Sequence, residues 1–124
     1  MAIWFIRIAV VYLVVGVIAG QLMGITEKFA YADVHAHINL LGWATLALSG
    51  IIYTLFPKAG QNRLAIVHFW LHNIGLPLFV IGLFLLATND QRGVAFAIVG
   101  SSLAILGILV FATNVWLNAK SKPT

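Results

Sequence analysis

The stretch Val34–Phe56, VHAHINLLGWATLALSGIIYTLF, opens with two histidines, runs on almost wholly apolar and stops at Pro57. About 20 helical residues cross the ~30 Å of hydrocarbon in a bilayer, and this stretch is long enough. It lacks the period-2 alternation of a membrane β-barrel strand. A soluble core helix of this kind would need a polar shell elsewhere in the chain. Of the 124 residues, 62% are hydrophobic and 8% charged, against about 25% charged in ordinary soluble domains. Lipid is therefore the expected solvent, and this stretch is read as a membrane-spanning helix.

Working outward, three further apolar stretches of the same length appear, near Trp4–Met23, Leu64–Thr88 and Val94–Leu117. The linkers, 24–33, 57–63 and 89–93, are short and polar. Short linkers make sequential helices antiparallel neighbours. The expected fold is all-α: one transmembrane domain over 1–124, an up-down four-helix bundle with helices near 4–23, 34–56, 64–88 and 94–117. The first stretch is longer than the apolar core of a cleaved leader, about 7–15 residues, and Ala19-Gly20 is a poor cleavage site, so it too is read as a span.

Seven Lys/Arg against three Asp/Glu give a formal charge of +4. Charges this sparse make no nucleic-acid footprint; they suit topology instead. Arg7, Lys58, Arg63, Lys120 and Lys122 fall on one side, and Lys28 and Arg92 on the other with Glu27, Asp33 and Asp90. The positive-inside rule then puts both termini in the cytoplasm, as in a multi-pass protein of a bacterial inner membrane. Cysteine is absent, which removes disulfides, thiolate metal sites and covalent c-type haem attachment.

Gly16, Gly20 and Gly24 lie four apart in the first stretch, and Gly93, Gly100 and Gly107 seven apart in the fourth. Small residues let helices approach closely in lipid, so helix packing is the first reading and close approach of a flat cofactor the second. Pro77 removes a backbone donor inside the third helix and is expected to kink it. Trp4, Tyr31, Tyr53 and Trp116, near the ends of stretches, read as interfacial anchors.

The histidines carry the chemistry. His35, His37, His68 and His72 all lie in or beside apolar helices, where an ionisable side chain is expensive and marks a functional site by default. The plain alternative is a neutral ring bonded to a backbone carbonyl. Two close pairs with few other polar neighbours favour ligation. His68 and His72, four apart, share one helical face. They can hold one metal ion, or one can ligate while the other tunes. His35 and His37, two apart, point about 200° away from each other, so they serve two sites rather than one.

The run His35-Ala36-His37-Ile38-Asn39-Leu40-Leu41-Gly42-Trp43, then Gly50-Ile51-Ile52-Tyr53 and Pro57, then His68-Phe69-Trp70, resembles the catalytic subunit of haem–copper oxidases. The likeness is greatest to the cytochrome-c oxidases that use only b- and c-type haems. It covers the second and third helices, about half of the chain. In that family the His-x-His helix stands between two haems, and one histidine ligates each. The resemblance implies that His35 and His37 are axial ligands of haem b, that Asn39 and Gly42 belong to the cofactor site, and that Arg92 lies near propionates. It also implies a shape. The family subunit has about twelve helices in three arcs of four, and this chain looks like one arc. Three copies would rebuild the ring, with His35 of one copy and His37 of the next in each crevice.

The departures limit the activity. The separate copper-holding histidines and the set of proton-path residues are not in the sequence, so oxygen reduction by this chain alone is not expected. The function expected is a haem-b membrane protein in respiratory electron transfer or redox sensing, a homotrimer in lipid with a respiratory electron donor or acceptor as partner. Copper or another transition metal at His68 and His72 is a further expectation. The alternatives are metal or haem transport, and a structural or assembly role beside a respiratory complex. No nucleophile, phosphate loop or carboxylate pair supports hydrolytic chemistry.

Overall fold

A computed structural model describes residues 1–121; Lys122, one of the charges used for topology, lies outside the described residues. Helix α1 spans Ala2–Thr26, α2 Ala32–His37, α3 Leu46–Leu55, α4 Pro57–Gly60, α5 Arg63–Ala87 and α6 Gly93–Asn118. A 3₁₀ turn over Phe29–Tyr31 precedes α2, and a π-helix over Ile38–Thr45 joins α2 to α3. The chain therefore makes four long apolar helical segments, Ala2–Thr26, Phe29–Leu55, Arg63–Ala87 and Gly93–Asn118, each long enough to cross a membrane. Among the described residues there is no strand. The fold is an all-helical four-helix membrane bundle.

The stops have local causes. The α1 C-cap is Glu27 with φ 55, a left-handed turn. A proline disfavours the helical region for the residue before it, and ahead of Pro57 Phe56 turns to φ −123 and ψ 80. Asn62 then caps α5, its Oδ1 accepting from Ala65 N at 3.1 Å. The last turn of α5 closes through Asn89, φ 63, with Asp90 N donating to Leu85 O at 2.8 Å. Pro77 sits inside α5, which stays one helix through it.

Glycines bring the helices together in two pairs. A side chain on Gly16, Gly20, Gly42 or Gly50 would strike the facing helix, so α1 lies directly against the second segment. A methyl on Gly75 would come within 2.6 Å of Ala104 N, and one on Gly93 within 2.5 Å of Gly82 O, so α5 and α6 touch backbone to backbone. Aromatic rings join the two pairs: Phe5 of α1 meets Tyr53 of α3 at 5.3 Å and Phe69 of α5 at 5.2 Å, and Tyr53 meets Phe111 of α6 at 5.5 Å. This core fills the half of the bundle holding the start of α1 and the end of α6. Most large apolar side chains outside it face outward, with Trp116 at 87% exposure, as a lipid-solvated surface requires.

Tyr53 corrects one expectation. It is not an interfacial anchor, because its side chain is 1% exposed at the centre of the aromatic core. Its position near a span end suggested the anchor, but the tight α1–α3 contact at Gly50 turns it inward.

Candidate functional site

His35 and His37 leave the second segment on different sides. His35 meets α1: its Nδ1 is 2.8 Å from Gly16 O, and a methyl on Gly20 would come within 2.6 Å of its Cε1. His37 meets α5, its ring edge-on to Phe79 at 4.9 Å, while its Nδ1 lies 2.7 Å from Asp33 O in its own helix. A carbonyl oxygen only accepts, so each of these Nδ1 atoms carries the ring proton and each Nε2 keeps its lone pair. The Asn39 amide is 3.1 Å from the same His35 Nδ1. With the Nδ1 proton on Gly16 O, the Asn39 NH₂ can donate only to the Nε2 lone pair, 3.5 Å away.

A cavity of about 300 Å³ adjoins His35. Ala19, Leu22 and Met23 of α1 and Val34 and Phe84 make its apolar wall, and Lys28 and Tyr31 stand at its membrane-face end. Tyr31 stacks on Phe84 at 5.3 Å, tying the start of the second segment to the end of α5. Gly42 serves a different contact, giving space to the Tyr12 ring, whose Cγ would lie 2.5 Å from a methyl there. Arg92 is on the α5–α6 loop with its side chain 81% exposed and paired with Asp90 at 2.6 Å. The guanidinium hydrogen bonds hold the Asp90 carboxyl below the usual carboxylate range. The cation in the cavity wall is therefore Lys28, which the sequence reading passed over in favour of Arg92.

His68 and His72 form a separate buried pair. Both are 0% exposed, with ring centroids 5.6 Å apart. Phe5 and Phe111 each lie 4.9 Å from the His68 ring. His68 Nδ1 is 2.9 Å from Tyr53 Oη, and His72 Nε2 donates to Leu41 O in the π-helix at 2.9 Å. Among the described residues, His68 Nε2 and His72 Nδ1 have no partner. Asn114 of α6, also 0% exposed, continues the polar line, with Nδ2 donating to Ala59 O at 2.9 Å and to Tyr53 Oη at 3.4 Å. Asn62 and Asn118 donate to its Oδ1 at 2.8 and 2.9 Å. Asn114 and Tyr53 were not singled out as site residues. The signal for Asn114 was an amide deep in an apolar helix, which needs a partner in lipid.

The structure does not merge the two pairs. No group of three or more His, Asp or Glu side chains able to hold a metal ion occurs among the described residues. No protein-family model, curated protein or solved structure matches the chain.

Proposed function

We propose that the chain binds haem b within the membrane and carries electrons, with His35 and His37 as the residues that would hold the iron. One observation carries this reading: the two rings leave opposite sides of one span, His35 against α1 and His37 against α5; their Nδ1 bonds to backbone carbonyls, at 2.8 and 2.7 Å, are shared with the plain alternative and leave Nε2 free to ligate. Metal-binding histidines almost always engage their other ring N–H in this way, which fixes the tautomer and raises the basicity of the ligating nitrogen.

The residues present fit the group. Gly20 lets the His35 ring lie flat against α1. The cavity beside it offers an apolar wall and one cation, Lys28, suited to a propionate. Its volume of about 300 Å³ is at the lower end of ligand pockets, roughly 300–1,000 Å³, so a neighbouring copy has to complete it. We take the assembly to be a homotrimer in which His35 of one copy and His37 of the next line each crevice. Iron held by His35 and His37 would supply one-electron transfer and would leave no place for oxygen chemistry. The excess of Lys/Arg on the side of Arg7, Lys58, Arg63 and Lys120 supports both termini in the cytoplasm of a bacterial inner membrane, with a respiratory donor or acceptor as partner.

The test is an absorption spectrum, oxidised and reduced, of wild type beside His35→Ala and His37→Ala. A Soret band with a six-coordinate low-spin pattern is expected in wild type, and neither variant should keep it. A colourless wild type that takes up no added haem overturns the proposal.

A further inference from the structure

The hydrogen-bond partners of the buried pair fix its tautomers. Ala59 O accepts from Asn114, so the group that Asn114 turns to Tyr53 is also its NH₂, a donor. The Tyr53 oxygen accepts there, and its own proton goes to His68 Nδ1. A neutral His68 then carries its ring proton on Nε2. His72 gives its Nε2 proton to Leu41 O, which leaves a lone pair on Nδ1. The two unpartnered buried nitrogens are therefore complementary: His68 offers a proton and His72 can receive one. They sit on one face of α5, ring centroids 5.6 Å apart. Every donor in the file points the same way, from Asn62 and Asn118 through Asn114, Tyr53 and the two rings to the π-helix. A metal ion would need lone pairs on both nitrogens, and this arrangement supplies one.

We propose that His68 and His72 form a proton-transfer pair bridged by a single water, at the inner end of a half-channel that opens beside Tyr53. A buried water needs at least two polar partners, and the His68 N–H and the His72 lone pair are such a set. A cavity of about 450 Å³ at that end of the bundle has Tyr53, Gly60 and Gln61 in its wall, and the Tyr53 side chain behind it is 1% exposed. A proton arriving at the Tyr53 oxygen is balanced along the file. Tyr53 passes its own proton to His68 Nδ1, His68 passes its Nε2 proton to the water, and the water passes one to His72 Nδ1. One proton enters, one positive charge ends on His72, and no electron moves. The relay stands whether or not the chain binds haem.

The test uses the full chain in lipid nanodiscs, with ¹⁵N-labelled histidine and no metal or haem added. For both His68 and His72, Nε2 should be protonated and Nδ1 not, and the His68 Nε2 proton should exchange with water despite full burial. Tyr53→Phe keeps the ring packing and removes the relay oxygen, and it should slow that exchange at least tenfold. A His68 proton found on Nδ1 in wild type overturns the proposal without reference to any variant. So does exchange unchanged in Tyr53→Phe, or one equivalent of Cu(I) or Zn(II) bound through both nitrogens.

Discussion

Gly20 is the residue on which the His35 ring rests, and a methyl there would come within 2.6 Å of that ring, whereas one on Gly24 meets nothing within 4 Å. Crowding a packed contact costs about 1–3 kcal/mol, and an open surface change stays within about 0.5 kcal/mol. Gly20→Ala should therefore destabilise the bundle and move His35, while Gly24→Ala should do neither; unfolding in mixed micelles ranks the two. Asn114 serves four partners at once, Ala59 O, Tyr53, Asn62 and Asn118. Asn114→Leu should cost about 1–3 kcal/mol or more, because buried polar groups lose their partners, and the same unfolding assay reads it. The exposed Asp90–Arg92 pair makes the contrast. A lowered carboxyl pKa adds stability that is present above the ordinary carboxylate pKa and lost as pH falls through the lowered one. Solvent and salt screen such a pair, so Asp90→Asn should match wild type in high salt at any pH. At this scale the four histidines were legible, because an ionisable group in an apolar helix stands out. Their tautomers were not. Those of His35, His68 and His72 depend on Gly16 O, the Tyr53 hydroxyl and Leu41 O, from other parts of the chain, and that of His37 on Asp33 O in its own helix.

Among the elements, the α5–α6 pair shows what the glycine spacing was for. A methyl on Gly100 would lie 2.7 Å from Gly75 O, and one on Gly107 3.1 Å from His72 N. Without a hydrophobic drive between helices in lipid, such close packing has to hold them together. Gly100→Val should separate α5 from α6 and lower the unfolding midpoint far more than Ser101→Val one residue on, whose side chain bonds only Ile98 O in its own helix. A circular-dichroism melt of both variants makes the comparison. The four spans were legible to within a few residues because composition alone sets them, and Pro57 and the Asn89–Gly93 linker mark their ends. The π-helix over Ile38–Thr45 was not, since the sequence there reads as ordinary helix. Its wide turn is tied from outside, by His72 on Leu41 O, and from within, by Thr45 Oγ1 donating to Leu40 O at 2.8 Å. π-turns are found disproportionately at functional sites, and this one joins the segment that carries His35 and His37 to the buried pair.

For the whole molecule, the placement of the two histidines bears on how many copies make one site. Within one chain His35 faces α1 and His37 faces α5, so a single copy cannot bring both nitrogens to one iron. A head-to-tail ring can, if each crevice takes His35 from one copy and His37 from the next. That arrangement has a signature that a self-contained copy lacks. Each of His35→Ala and His37→Ala alone removes one ligand from every crevice and should give colourless protein. Co-expressed in equal amounts, they assemble at random. A crevice is intact when its His35 comes from a His37→Ala copy and its His37 from a His35→Ala copy, which happens for about one crevice in four. The mixed sample should regain roughly a quarter of the wild-type Soret absorbance, and the double variant co-expressed with itself none. Native mass spectrometry should find the recovered haem only in assemblies containing both variants. If the mixture stays colourless while wild type is red, the two ligands of each haem do not come from neighbouring copies, and the trimer would have to be abandoned even with the haem reading intact.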